Sequence, residues 1–198
     1  MSSIVLLSDA VVVKPESLPV EVAEFKLHSR IDYSHDDNLI ESYLNAAAQH
    51  IEGIAGRALI TQTREARYRR FAPIMTVPSP MVQSITSVIY LDANRDLQTV
   101  PSADYHVDML DQPWGQAEII PAQAWPLLMS EASDAVRIRY VCGFGDYPED
   151  VPETLRQACR LLAAHWYENR EAVGAQMSKM PFTVDALIEP WRYRRPLG

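Results

Sequence analysis

Several features that mark other protein classes are scarce in this sequence. There are only two cysteines, Cys142 and Cys159, too few for a disulfide framework, and they fit a reducing compartment where small buried thiols are common. No long hydrophobic run occurs either: "IVLL" and "AVVV" are separated by Ser8 and Asp9, and no basic segment precedes them. The sequence therefore predicts a chain that is neither exported by a signal peptide nor anchored in a membrane.

Positive charge is also in short supply. The chain has 18 Lys and Arg against 26 Asp and Glu, a net charge of −8. Because non-specific DNA affinity comes mainly from Lys and Arg that neutralise phosphates, this balance argues against a protein that wraps DNA. The charge is uneven, with four Arg and one Glu in residues 61–71 but three Arg and eleven acids in residues 72–150. Such asymmetry can guide docking between protein surfaces.

Hydrophobic residues make up 47% of the chain, which is ordinary for a globular protein. In two long stretches they recur at the spacing of an amphipathic helix. The first begins after Asp36, a good N-cap, and repeats at helical spacing until Gly56, a natural stop. The second follows Pro152, which suits a first helical turn, and runs to about Ala172. Shorter helical patterns begin near Val20 and at "VDALIEPW".

Between the two main helices the period changes to that of β-strands. Five short stretches are rich in β-branched and aromatic residues: "TQTREARYRRF", "SITSVIYLD", "DYHVDM", "AEIIP" and "AVRIRYVCG". In the last, Val136, Ile138 and Tyr140 alternate with Arg137 and Arg139, which is typical of a half-buried antiparallel strand. We therefore expect one small antiparallel sheet of about five strands.

These patterns predict an α+β fold, in which two main helices, distant in sequence, form a helical core and a small antiparallel sheet is inserted between them. The predicted parts are an N-terminal arm (1–20), a helical core (21–60 and 151–190), an inserted β-region (61–150) and a basic C-terminal tail (191–198). The side chains expected to pack the two main helices together are Leu44, Ile51, Leu155, Leu162 and Trp166.

Candidate chemistry is sparse. None of the five histidines has a partner at the spacing of a zinc site, and the sequence contains neither GxGxxG nor GxSxG. The stretch "AHWYENRE" places His165, Glu168 and Glu171 close together, which leaves a small hydrolase or ligand-binding enzyme as the alternative function. Helical periodicity accounts for the same stretch without a reaction, so we predict no catalytic residue, no metal and no cofactor.

The order and spacing of several motifs resemble one known family over roughly residues 20–195. The motifs are "FKLHSRID", "DDNLIESYLNAAAQHIEGIAGRALITQT", "SITSVIYLDANRDLQTVPSADYHVD", "VRIRYVCGFG", "VPETLRQACRLLAAHWYENRE" and "LIEPWRYRR". Together they are similar to the head–tail connector (head-completion adaptor) proteins of tailed phages and prophages, in the branch with an inserted β-region. One departure is the turn "DANRD", which has Asn94 and Arg95 where relatives tend to place a glycine.

The resemblance implies a structural virion protein rather than an enzyme. Its expected partners are other copies of itself in a ring, the portal protein, tail or tail-completion proteins, and passing DNA that is not bound sequence-specifically. The expected location is the head–tail junction of the virion, and the host bacterial cytoplasm during assembly. A neighbouring neck or tail-completion protein with the same general task is a further alternative.

The C-terminal segment is the candidate docking element. Chain ends of this kind are seldom ordered unless something holds them, and Arg and large aromatic residues dominate interface energies. We therefore predict that this segment becomes ordered against an acidic surface of the portal or of an adjacent subunit. The predicted interface residues are Trp191, Arg192, Tyr193, Arg194, Arg195 and Arg170.

Overall fold

The structure, a computed structural model, describes residues 5–110, 115–128, 133–169 and 182–193. The described residues form two compact units. Residues up to 15 and from 61 to 143 make a sheet unit, and residues 16–60 and 144–193 make a helical unit. Helices and antiparallel strands are thus both present, which confirms the predicted α+β class.

The helical unit contains α1 (Val22–Ser29), α2 (Asp37–Ala55), α3 (Glu153–Glu168) and α4 (Phe182–Ile188). Its core is built mainly from the facing apolar stripes of α2 and α3, as expected for amphipathic helices that bury one face. Leu44, Ile51, Leu155 and Leu162 lie in this core, each at most 2% exposed. Trp166 is only half-buried and packs against the edge of the same core.

The ends of α2 follow the sequence signals in part. Gly56 ends the helix in the left-handed conformation (φ 67°), and its N–H donates to the carbonyl of Glu52 at 2.8 Å. Asp36 precedes the helix as predicted, but its side chain makes no capping hydrogen bond. Instead its carboxylate accepts a hydrogen bond of 2.7 Å from the hydroxyl of Tyr167 in α3.

The described residues of the sheet unit form eight strands: β1 (Leu6–Val13), β2 (Gln62–Tyr68), β3 (Met75–Thr76), β4 (Val82–Leu91), β5 (Leu97–Thr99), β6 (Tyr105–Leu110), β7 (Gln116–Pro121) and β8 (Val136–Cys142). They form two sheets rather than the single sheet expected. The larger has the order β1-β2-β8-β4-β5 and the smaller the order β3-β7-β6, and all pairs of strands are antiparallel.

All five predicted strands are present, as β2, β4, β6, β7 and β8, whereas β1, β3 and β5 were not predicted. The segment interpreted as an N-terminal arm contains β1, which pairs with β2 along residues 6–13. β3 and β5 are two and three residues long, too short for an alternating pattern to show. β5 follows the tight turn at Arg95, whose φ of 72° lies in the left-handed region that favours glycine.

The boundary after β8 lies at residue 143, seven residues before the predicted one. Phe144 donates its N–H to the carbonyl of Leu59 at 3.2 Å, and Gly145 forms a bridge with Ile60. The hydroxyl of Ser17 donates to the carbonyl of Asp146 at 2.7 Å. These bonds attach residues 144–146 to the helical unit.

The two faces of the larger sheet differ as the sequence of β8 predicts. Val136, Ile138 and Tyr140 are fully buried, while Arg137 and Arg139 are on the opposite, partly exposed face. Tyr68 of β2 lies on the buried face and donates its hydroxyl to the carbonyl of Thr76 in β3 at 2.5 Å. The buried face of the larger sheet therefore contacts the smaller sheet.

No helix in the described ranges is long and apolar enough to cross a membrane.

Candidate functional site

The stretch "AHWYENRE" forms the last turn of α3 and the residues after it. The Nδ1 atom of His165 is 3.4 Å from the side-chain nitrogen of Asn169, which also donates to the His165 carbonyl at 2.7 Å. Glu168 is exposed, and Glu171 lies outside the described residues. Within the parts of the chain that the structure describes, no group of three or more His, Cys, Asp or Glu side chains could hold a metal ion.

The residue of this stretch with the most specific contacts is Tyr167. Its hydroxyl lies 2.9 Å from the hydroxyl of Tyr33 and donates to Asp36 at 2.7 Å, and these hydrogen bonds raise the pKa of Tyr167. Trp166 contacts the ring of His50 edge to face, at 6.1 Å between centroids. The described residues of this stretch thus attach the end of α3 to the residues just before α2 and to His50 within α2.

The first part of the predicted C-terminal tail is packed against the helical unit. The indole ring of Trp191 meets Phe144 edge to face at 5.7 Å, and the guanidinium of Arg57 lies 5.8 Å from the indole ring centroid. The backbone N–H of Tyr193 donates to the carbonyl of Ala55 at 2.7 Å. Arg192 pairs with Asp185 and with Glu189.

Trp191, Arg192 and Tyr193 thus have partners within their own chain, and their predicted role at an interface stays a prediction. No local pattern indicates these partners, because Ala55 and Phe144 lie far away along the chain. Arg194, Arg195 and Arg170 lie outside the described residues, and their interface role stays a prediction.

A network of ion pairs that sequence analysis missed connects α1 with α3. Arg160, whose side chain is 10% exposed, pairs with Glu24 and Glu153, and Arg156 pairs with Glu24 at 2.7 Å. Hydrogen bonding from Arg160 lowers the pKa of Glu153. The spacing of Arg156 and Arg160, one helical turn apart, was the available signal.

The exposed side of the larger sheet carries three arginines, Arg67, Arg137 and Arg139, which we call the arginine face. Register pairs Arg67 with Arg137 and Arg139 with Glu65, so all four side chains lie on one side of β2 and β8. Glu65 is 4% exposed, and its two carboxylate oxygens accept from Arg67 at 3.0 Å and from Arg139 at 2.8 Å. Although burial opposes it, these bonds hold the pKa of Glu65 below its usual value. Asp134 pairs with Arg137 at 3.1 Å and with Arg67 at 3.6 Å.

The other side of the same sheet holds a second buried polar group. The carboxylate of Asp9 in β1 accepts from Arg64 at 2.8 Å and from the hydroxyl of Tyr140 at 2.9 Å. Burial, reinforced by the charge of Asp9, raises the pKa of Tyr140. These bonds fix β1 against β2 and β8. The available signal was a lone acid in the apolar run "LLSDAVVV".

The smaller sheet carries charge of the opposite sign. Asp108 of β6 and Glu118 of β7 are directly opposite each other across the strand pair, and we call them the acidic pair. Asp108 is 3.0 Å from the Nε2 atom of His106, and no Lys or Arg of the described residues pairs with either acid. The two sheets therefore carry surface charges of opposite sign.

Comparison with known proteins agrees with this description. The family model described as head completion protein matches residues 20–192. A solved structure described as the neck of an empty GTA particle with C6 symmetry is 30% identical, with a TM-score of 0.77 over 97% of this chain and 98% of that one. A neck of the native GTA particle with C12 symmetry is 31% identical, with a TM-score of 0.75 and the same coverage of both chains.

A third solved structure, described as the virion of the native gene transfer agent particle, is 30% identical, with a TM-score of 0.75 and the same coverage. Among proteins with curated descriptions, none matches this sequence. The family match spans most of the chain and the solved structures cover nearly all of it. The chain therefore belongs to the head completion protein family, whose role is structural and lies at the junction between the head and the tail.

Proposed function

We propose that this chain is a ring-forming subunit of the neck of a tailed phage or phage-like particle, where it completes the DNA-filled head and connects it to the tail. The observation that carries the proposal is the similarity to a neck subunit over 97% of this chain, at 30% identity and a TM-score of 0.77. Since that neck is described with C6 symmetry and a related one with C12 symmetry, a closed ring of identical copies is the natural arrangement.

The proposed neighbours in the particle are the portal protein on the head side and tail or tail-completion proteins on the other side. Arg194, Arg195 and Arg170 are the proposed contacts with an acidic surface of the portal or an adjacent subunit, because Arg is enriched where interfaces are strongest. During assembly the subunit would be in the host bacterial cytoplasm, and in the finished particle at the head–tail junction.

We also propose that DNA passes this subunit without sequence-specific binding and that the subunit carries out no reaction. The net charge of −8 supports the first part, because a channel lined by acidic or neutral side chains does not retain phosphates as clustered Lys and Arg would. The structural role of the family supports the second part.

The proposal is tested by electron microscopy at two levels. Concentrated protein should form rings in negative stain, and particles that carry the tagged subunit should show label at the head–tail junction. Omitting the subunit from an assembly reaction should leave DNA-filled heads without tails, and adding it back should restore joining. Label spread over the head shell or along the tail would overturn the proposed location. Tail joining at normal yield without the subunit would overturn the proposed role.

A further inference from the structure

The arginine face and the acidic pair are both on the outside of the sheet unit, and each is incompletely neutralised. On the arginine face, three guanidiniums surround two carboxylates, Glu65 and Asp134. Arg139 is the most exposed of the three, with 49% of its side chain accessible. Its hydrogen bond to Glu65 uses the Nε atom, so among the described residues the two terminal nitrogens have no partner.

Glu65 gives this surface its rigidity. A carboxylate that is 4% exposed and bonded to two arginines holds both guanidiniums in place, and the planar fork of Arg139 is left directed outward. Because Arg139 is already held, it loses less conformational entropy when it binds a second carboxylate than a free surface side chain would. The arginine face is thus prepared to accept an acidic group.

The acidic pair carries negative charge that the described part of the subunit does not fully neutralise. Like charges directly opposite each other on neighbouring antiparallel strands repel, since their Cβ atoms lie about 4.5–5.5 Å apart. Only His106, 3.0 Å from Asp108, offsets this charge within the described structure, and it does so only when protonated. Glu118 has no partner of opposite charge in the described part of the chain. An isolated subunit therefore carries a repulsion that a cation from outside would relieve.

We propose that the arginine face of one copy of this chain docks against the acidic pair, Asp108 and Glu118, of the next copy. The inference rests on the proposed ring and names the surfaces that close it. A ring requires two different surfaces on every subunit, because a contact of one patch with itself gives only a pair. The two charged surfaces belong to different sheets, and the buried side of the larger sheet contacts the smaller one through Tyr68 and Thr76. Both charged surfaces therefore remain outside and available to different neighbours.

The test compares neutralised variants with matched controls. Asp108→Asn combined with Glu118→Gln removes the acidic pair, and Arg139→Gln removes the free fork while Arg67 still holds Glu65. Glu41→Gln on α2 and Arg70→Gln after β2 are the controls, since both residues are exposed and make no ion pair in the described structure. Ring formation is measured by sedimentation velocity and electron microscopy, and the melting temperature of the dilute subunit is measured in parallel.

The acidic-pair variant should weaken ring formation by about tenfold or more. The same variant should raise the melting temperature of the dilute subunit by about 1–3 °C, because the repulsion inside the subunit is relieved. If Asp108 and Glu118 only stabilised the subunit, their neutralisation would not weaken ring formation and raise the melting temperature together. Arg139→Gln should also weaken assembly by about tenfold, the controls should behave as wild type, and added salt should weaken wild-type rings.

Results other than those expected show whether the docking inference fails alone or together with the proposed function. Wild-type rings with undiminished assembly of both variants would overturn the docking proposal and leave the proposed function standing. If Arg139→Gln alone weakened assembly, the arginine face would bind something other than the acidic pair, such as DNA phosphates, and the inference would be wrong. If the wild type formed no ring in concentrated protein or in particles, the ring-forming function itself would fail, and the inference with it.

Discussion

The indole nitrogen of Trp191 donates a hydrogen bond of 2.9 Å to the hydroxyl of Thr154, which attaches the segment after α4 to the first turn of α3. Thirty-seven positions separate the two residues. Together with the ring contact to Phe144, this bond makes Trp191 part of the helical unit rather than the start of a free tail.

Trp191→Ala should therefore destabilise the subunit by about 2–3 kcal/mol, less than a fully buried Trp because the ring is half-buried. Trp191→Phe keeps a ring against Phe144 but loses the hydrogen bond, and should cost about 1 kcal/mol. Urea denaturation followed by circular dichroism measures both. Removing residues 194–198 leaves these contacts in place and is the matched control. An unchanged midpoint for Trp191→Ala would contradict the packing described above.

The second prediction concerns Trp166 on α3. Because this side chain lies at the edge of the core, Trp166→Ala should cost about 2 kcal/mol, roughly half the loss for a fully buried Trp. Leu155→Ala removes a completely buried side chain and should cost about 2–5 kcal/mol. Comparing the two denaturation midpoints tests the order of burial. A larger loss for Trp166→Ala than for Leu155→Ala would show that the tryptophan is more central than its exposure indicates.

The third prediction concerns Glu65 and acid stability. The pKa of Glu65 is lowered in the folded protein, so its ionised form adds stability above the unfolded pKa of about 4.5. That contribution is lost as the pH falls through the folded pKa. Glu65→Gln should therefore destabilise by about 2 kcal/mol at pH 7, and the difference from wild type should shrink below about pH 4. Thermal melts from pH 7 to pH 3 measure this, with Glu41→Gln as the control. A difference that stays constant with pH would count against the ion pairs.

The fourth prediction addresses the enzymatic alternative. The double variant His165→Ala and Glu168→Gln should assemble as the wild type does, apart from a small change in stability. The reason is that, within the described structure, the side chain of His165 lies within hydrogen-bond distance of Asn169 alone, while Glu168 is exposed. Ring formation, tail joining and metal content measure the outcome. Loss of a turnover or of a stoichiometric metal ion that the wild type possesses would support the enzyme.

Local patterns predicted the elements whose signals lie within one stretch of chain. Alternation in β8 correctly placed Tyr140 inside and Arg139 outside, and Gly56 correctly ended α2. β1 was missed because its stabilising contacts are distant: Asp9 bonds to Arg64, 55 positions away, and to Tyr140, 131 positions away. A segment with apolar residues on both sides has no clear period of its own.

The candidate surfaces were predicted less well for the same reason. Arg137 and Arg139 were expected on an exposed face, but only strand register places Arg67 and Glu65 beside them. Similarly, Asp108 and Glu118 become neighbours only when β6 pairs with β7. Composition indicated that charge is unevenly distributed along the chain. Which charged side chains become neighbours depends on the pairing of strands that are distant in sequence, and no single stretch of sequence reveals this pairing.

The position of β8 has a consequence for synthesis of the chain. β8 is the last of the described strands to leave the ribosome, yet it lies between β2 and β4 at the centre of the larger sheet. Until residue 142 has emerged, β2 and β4 lack the strand that joins them, and each presents an open backbone edge. A sheet completed by such distant pairing forms slowly, and its unpaired edges are open to aggregation. We therefore expect the nascent chain to be most prone to aggregation in the interval between synthesis of β4 and synthesis of β8.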